Sequence, residues 1–262
     1  MSLPLFECGA QRLDQIVRPG MLCAFDFDGT LAPIVKEPER ASIPAAVSRR
    51  LATLSECAQV AIVTGRSVED IGLRLDFLPD FVIGNHGIEG IPGWEHHAET
   101  YRKVCIEWER HLSGALKDRG IFEAGIWIEN KTYSLSVHYR LARDREKAEM
   151  HLGKLFSSLL PEAHVIGGKC VFNLLPSDGI TKGTALERLI EATGTSAVLY
   201  VGDDATDEDI FRLQREDVLS VRVEQSADSA AEFHLHHRLE MVQLLDELIG
   251  RLAKPCLAAR IA

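Results

Sequence analysis

The sequence predicts an α/β protein built on a parallel sheet, with a separate α+β module inserted into it. Three observations predict this. Short, wholly apolar runs recur, each ending in polar or glycine-bearing residues, as strands buried on both faces of a parallel sheet do. Helix-period patterns separate the first of these runs, which implies crossover connections of one hand. Between about residues 91 and 179 the pattern changes to a helix, a hairpin, a second helix and two short strands. The 262 residues with 46% hydrophobic content can fill one large core or two modest ones. The core reads as residues 1–96 and 176–262, and the inserted module as 97–175.

Residues 1–20 read as a lead-in closed by Pro19-Gly20. Met21 to Phe25 is the first buried strand and runs into Asp26, Asp28, Gly29 and Thr30. A charged residue at a strand's carboxyl end sits where open α/β sheets bind ligands. Asp26 and Asp28, two apart on extended backbone, share a face and repel unless a cation lies between them. Hard oxygen donors of this kind suit Mg²⁺; an EF-hand loop, which wants glycine at position six, fits poorly because this one has it at position four. The plainer alternative is an Asp-rich turn.

Ser42, with Pro44 two residues on, is expected to open a helix carrying Val47, Leu51, Leu54 and Ala58. The second strand, from Val60, ends in Thr64-Gly65-Arg66, and Ser67 can cap the next helix. That stretch is equally a strand, a turn and an N-cap. A third strand, Phe81 to Ile83, leads into the loop Gly84-Asn85-His86-Gly87.

In the inserted module a helix from Tyr101 places Cys105, Trp108 and Leu112 on one stripe. Two strand-like runs about Lys131 read as a hairpin. Residues 132–140 alternate, with Tyr133, Leu135, Val137 and Tyr139 on one face and Thr132, Ser134, Ser136, His138 and Arg140 on the other. A helix from Asp144 follows, then two strands expected to turn at Gly167-Gly168, with Lys169 and Asn173 sharing a face. A polar sheet face is ordinarily just solvated.

The module ends at Ser177-Asp178-Gly179, and Lys182 falls at a helix N-terminus, against the helix dipole, as suits a residue kept for an anion. Ala197 to Val201 is another buried strand and enters GDDATDEDIF, five carboxylates within seven residues. One solvated acidic turn would explain these equally. A strand from Val218 and a C-terminal helix with Leu239, Val242, Leu245, Ile249 and Leu252 inward complete the core. His96, His97, His234, His236 and His237 are expected in loops, without metal-site spacing.

A net charge of −10 argues against nucleic acid or an anionic membrane as partner. No run approaches the roughly eighteen apolar residues of a membrane span, and no leader pattern opens the chain, so a cytoplasmic protein is expected. The six cysteines, scattered without a C-x-x-C pair, read as reduced packing residues. A monomer or weak homo-oligomer with a small-molecule partner is the expectation.

In order, Asp26-x-Asp28, Thr64, Lys182 and Asp203/Asp204/Asp207 resemble the four motifs of the haloacid dehalogenase (HAD) superfamily of phosphotransferases. The resemblance implies a Rossmann-like core with an inserted α+β cap of the C2 type. It implies that Asp26 is the nucleophile and Asp28 the general acid and base, with Thr64 and Lys182 completing the catalytic set. The metal would be Mg²⁺, held by Asp26, the Asp28 carbonyl and Asp203, with Asp204 and Asp207 orienting its waters. The flanking DFDGTLAPI, GNHGIE, GITKGTAL and the block Glu129, Lys131, Ser134, His138, Arg140 look more narrowly like the trehalose-6-phosphate phosphatase family. That resemblance implies a sugar phosphate as substrate, bound through Gly65, Arg66, Asn85, His86, Gly87 and the cap residues Glu129, Lys131, Ser134, His138, Arg140 and Asn173. Asn173 departs from the glutamate usual there. A phosphatase for sucrose phosphate or mannosyl-phosphoglycerate, a phosphohexose mutase, and a silent sugar-phosphate sensor are the alternatives; intact Asp26 and Asp28 argue against the last.

Overall fold

The structure is a computed structural model that describes residues 2–118, 125–176 and 180–258. In chain order it runs β1 (Leu3–Pro4), α1 (Leu5–Cys8), α2 (Ala10–Ile16), β2 (Leu22–Phe25), α3 (Ala45–Ser55), β3 (Gln59–Val63), α4 (Val68–Gly72) and β4 (Phe81–Ile83). Then come α5 (Glu95–Asp118), β5 (Trp127–Asn130), β6 (Leu135–His138), α6 (Arg145–Phe156), β7 (Ala163–Gly168) and β8 (Val171–Pro176). The chain closes with α7 (Lys182–Thr193), β9 (Val198–Gly202), α8 (Glu208–Phe211), β10 (Val218–Val223), β11 (Phe233–Leu235) and α9 (Met241–Ala258). It divides into two compact units, Met1–Ile91 with Thr181–Ala262, and Pro92–Ile180. No helix among the described residues is long and apolar enough to cross a membrane.

The first unit holds a seven-stranded sheet in the order β1-β11-β10-β9-β2-β3-β4, with every pairing parallel. Successive strands run outward from β2 through β3 to β4 on one side and from β9 through β10 to β11 on the other. The order therefore reverses between β2 and β9, the point at which open α/β sheets form their ligand crevice. Residues 22–25 and 198–202 are all buried, as their unbroken apolar runs require.

Several local expectations shift. Residues 1–20 are not a plain lead-in: Leu3–Pro4 pairs with Phe233 and His234 as an edge strand, where a proline without N–H is tolerated. His234 is thus a strand residue, buried, with Nδ1 3.1 Å from Ser2 Oγ, while His96 and His97 fall within the range of α5. Pro44, not Ser42, precedes the first helical residue of α3, and Ala58 lies beyond that helix. Leu239 is 71% exposed in a 3₁₀ turn before α9. The helix proper starts at Met241, so Met241, Leu244, Leu245, Leu248 and Leu252 form its inward face. Cys23 and Cys105 are buried packing residues, but Cys8 and Cys57 are exposed.

The second unit holds a four-stranded antiparallel sheet, β5-β6-β8-β7. Its core joins Cys105, Trp108 and Leu112 of α5, Leu135 and Val137 of β6, Ala148, Leu152 and Phe156 of α6, and Leu174. Alternation along β6 begins only at Leu135, because Thr132 turns the hairpin with φ +73°. The β7–β8 turn lies at Lys169-Cys170, with Cys170 at φ +64°, and the two glycines pair within the ladder. The expected module end at 177–179 lies outside the described residues.

Candidate active site

At the switch point β2 delivers Asp26 to the sheet's carboxyl edge, where its N–H donates to Val201 O of β9 at 2.9 Å. The following turn takes Gly29 to φ +87°, and a Cβ there would collide with the Asp203 carboxylate. Glycine is what lets the two loops close. Thr30 Oγ1 then donates to Asp203 Oδ1 at 3.0 Å.

β9 ends at Gly202, and a single 3₁₀ turn, Ala205–Asp207, folds Asp207 back beneath it. Asp207 is fully buried and its acceptors are filled. Oδ2 takes the N–H groups of Asp203 and Asp204 at 2.9 Å, and Oδ1 takes the Tyr200 hydroxyl at 2.6 Å and Lys182 Nζ at 2.8 Å. Lys182 opens α7 behind the N-cap Thr181, and its Nζ also donates to Asp26 Oδ1 at 2.7 Å. An unfavourable position on the helix is thus offset by two carboxylates.

The charges do not balance. Carboxylate oxygens of Asp26, Asp203 and Asp207 lie within 4.8 Å of one another, beside one ammonium. Burial holds the Asp26 carboxyl well above the usual carboxylate range, with Lys182 opposing and Asp207 and Asp203 reinforcing. Asp203 is pushed up to about 6 by burial and by Asp207, against the Thr30 hydrogen bond and Lys182. Burial alone would lower Lys182, but Asp207 and Asp26 outweigh it and keep the ammonium. Fully ionised, this all-oxygen set would carry two negative charges beyond the ammonium, and a hard divalent cation would relieve the repulsion that raises Asp26 and Asp203, whose remaining oxygens are open to it.

The side-chain cluster holds neither the carboxylate of Asp28, a residue expected to offer its carbonyl, nor Asp204, expected to orient metal-bound water. Asp28 accepts a two-point bond from Arg66, at 2.6 Å from Nε and 2.8 Å from Nη2. Arg66 also donates to Asp70 at 2.7 Å, and Asp70 is gripped in turn by Arg74. Arg66, expected on substrate, is therefore committed to Asp28 and is only 11% exposed. The Asp204 carboxylate caps its own turn by accepting from Ala205 N. Thr64 follows the last residue of β3, buried, with Oγ1 accepting from Arg66 N at 3.2 Å.

Gly65, Asn85, His86 and Gly87 form one packed corner. A Cβ on Gly65 would strike the His86 ring, and one on Gly87 would lie 2.6 Å from Thr181 O. Asn85 and His86 both take φ above +50° or at it, and Asn85 Nδ2 donates to Glu89 Oε2 at 2.8 Å. This corner braces the start of α7, and hence Lys182.

In the second unit His138 Nε2 lies 2.9 Å from Glu129 Oε2, and Ser136 Oγ donates to Asn173 Oδ1 at 2.6 Å. These four share the sheet face opposite the core. Lys131 and Ser134 close the β5–β6 turn through a backbone bond of 2.9 Å, and exposed Arg140 donates to Lys169 O. Reading the sequence alone passed over Tyr200, Asp70, Arg74, Glu89 and Arg222, whose guanidinium donates to the carbonyls of Asp203 and Asp204. Only the Asp70/Arg74 pair, four apart in the sequence, with Arg74 just beyond the end of α4, carried a local signal.

A parallel sheet with an acidic switch-point crevice, joined to an antiparallel module, defines an α/β HAD fold with a cap domain. A HAD/COF-like protein from Plasmodium vivax shares it at TM-score 0.59 and 16% identity, over 92% of this chain and 98% of that one. A trehalose-6-phosphate phosphatase related protein superposes at TM-score 0.71 with 25% identity, covering 87% of this chain and 98% of that one. The profile of the trehalose-phosphatase family matches residues 24–239, and the chain belongs to that family. A trehalose-phosphate phosphatase of Mycolicibacterium paratuberculosis is 32% identical over 71% of this chain and 49% of its own length. The chain spans between 18% and 66% of the length of the first curated relatives it matches.

Proposed function

We propose that this chain is a Mg²⁺-dependent phosphatase that hydrolyses trehalose 6-phosphate to trehalose and inorganic phosphate through an aspartyl-phosphate on Asp26. The observation that carries the reading is Lys182, buried between Asp26 and Asp207 at the switch point, in a chain of the trehalose-phosphatase family. Lys182 opposes the upward pull of burial on Asp26, and a cation bound beside it would oppose that pull further; the carboxylate then attacks phosphorus and splits one displacement into two. Asp28, held by Arg66, protonates the departing sugar alcohol and then takes a proton from the water that hydrolyses the acyl phosphate. The Thr64 hydroxyl and the Lys182 ammonium bind phosphoryl oxygens. Asp26 and Asp203 would hold a magnesium ion, which when bound would supply the remaining charge neutralisation. Glu129, Lys131, His138, Arg140 and Asn173 supply the donors and acceptors that sugar hydroxyls require.

The test is phosphate release over trehalose 6-phosphate, sucrose phosphate, mannosyl-phosphoglycerate and hexose phosphates, with Mg²⁺ or excess EDTA. Trehalose 6-phosphate is expected to have the highest kcat/KM, chelation to abolish turnover and Mg²⁺ to restore it. Asp26→Asn is expected to lose turnover while remaining folded. Activity within about tenfold of wild type in Asp26→Asn would remove Asp26 as nucleophile, since a lost nucleophile costs several orders of magnitude. A better substrate elsewhere in the panel would displace the trehalose reading.

A further inference from the structure

The open face of the second unit's sheet carries two rows of side chains. Register aligns Trp127 with His138 and Val171, and two residues along, Glu129 with Ser136 and Asn173. The alternate residues Ile128, Leu135, Val137, Phe172 and Leu174 belong to the core on the other side. Trp127 therefore stands among polar groups on the outer face, and it is 49% exposed whereas Trp108 of the core is 1% exposed. The Trp127 indole lies on the His138 imidazole, with ring centroids 3.8 Å apart and planes 9° from parallel. His138 is itself tied to Glu129. One face of the indole is thus backed and its orientation held, while the other face looks outward.

A backed, half-exposed indole beside fixed hydrogen-bonding groups suits a ring that is apolar on its face and hydroxylated at its rim. A pyranose with equatorial hydroxyls is such a ring. Its face presents C–H groups, weakly positive, to the negative π-face of an aromatic, and its rim presents hydroxyls to polar side chains.

We infer that Trp127 is a specificity-determining residue whose outer indole face, turned away from His138 at the edge of the sheet, stacks on a pyranose ring of the substrate. The inference rests on the reading of this chain as a sugar-phosphate phosphatase. It adds a residue of its own to the polar set, which by itself would distinguish poorly between a sugar and any other polyol.

The experiment measures kcat and KM of wild type, Trp127→Ala and Trp127→Phe on trehalose 6-phosphate and on acetyl phosphate, which has no ring. Trp127→Ala is expected to raise KM for trehalose 6-phosphate on the order of tenfold with a smaller change in kcat, the size of one lost aromatic contact. Trp127→Phe, which keeps a flat π-face, is expected to restore most of that loss, and acetyl phosphate is expected to respond much less. Equal losses on both substrates, or a KM within twofold of wild type in Trp127→Ala, would overturn the stacking role and leave Trp127 as a hairpin-stabilising partner of His138. If wild type prefers another pyranosyl phosphate, the proposed substrate fails and the same comparison on that compound decides the stacking. If wild type hydrolyses no pyranosyl phosphate, both readings fail together.

Discussion

Asp207→Asn changes one oxygen to an amide nitrogen, and the geometry of Asp207 leaves that amide nowhere to go. In one orientation the NH₂ faces the Tyr200 hydroxyl and the Lys182 ammonium, both donors to Oδ1. Flipped, it faces the N–H groups of Asp203 and Asp204, both donors to Oδ2. Each orientation sets donors against donors, and Lys182, 2% exposed, loses one of its two carboxylates. Breaking a buried ion pair by neutralising one partner costs about 3–5 kcal/mol. For a chain of this size each kcal/mol lowers the thermal midpoint by about 2–4 °C, so a fall of roughly 6–20 °C is expected at neutral pH. Tyr200→Phe removes only the hydroxyl bond and should cost about 1.5–3 kcal/mol, which calibrates the larger loss. Circular dichroism melts of the three proteins measure both. A midpoint for Asp207→Asn within about 2 °C of wild type would refute the view that this carboxylate organises the site.

Arg66→Ala should reduce kcat/KM for trehalose 6-phosphate about a hundredfold but p-nitrophenyl phosphate much less, because a good leaving group does not need Asp28 as acid; parallel losses would show that Arg66 only supports folding. Asp70 lies below the usual aspartate range, since the hydrogen bonds from Arg74 and Arg66 outweigh the upward pull of its burial. A lowered carboxyl contributes stability that is present above its unfolded value, about 3.9, and is lost as pH falls through the folded one. The gap in thermal midpoint between wild type and Asp70→Asn should therefore be full at pH 7 and narrow below about pH 4. Burial pushes the Cys105 thiol up to about 12 and raises Cys23 further, whereas Cys8 and Cys57 are exposed. Thiol titration at pH 8 should label Cys8 and Cys57 in the native protein, and Cys23 and Cys105 only on unfolding.

The α/β class, the strand ends and the candidate motifs were legible in the chain because their signals are local. A buried strand announces itself by its own apolar run, and Ser67 and Asp144 cap helices through bonds to residues three away. Asp26, Thr64, Lys182 and Asp203 could be picked out because each punctuates such an element. What those residues touch was not local. The bond from Lys182 to Asp26 joins positions 156 apart, and that from Arg66 to Asp28 joins positions 38 apart. No periodicity distinguishes Asp207, filled by four donors, from exposed Asp204 three residues earlier, because the difference is made by Tyr200 and Lys182 arriving from other elements. Weak local signals failed in the same way. A two-residue edge strand at Leu3–Pro4 has no pattern of its own and exists only because β11 offers an open edge. Leu239 fits the stripe of α9 by spacing, yet a 3₁₀ turn before Met241 resets the phase of the helix. Trp127 reads in the chain as one more strand aromatic; the pairing of β5 with β6 put it on the polar face and laid it against His138.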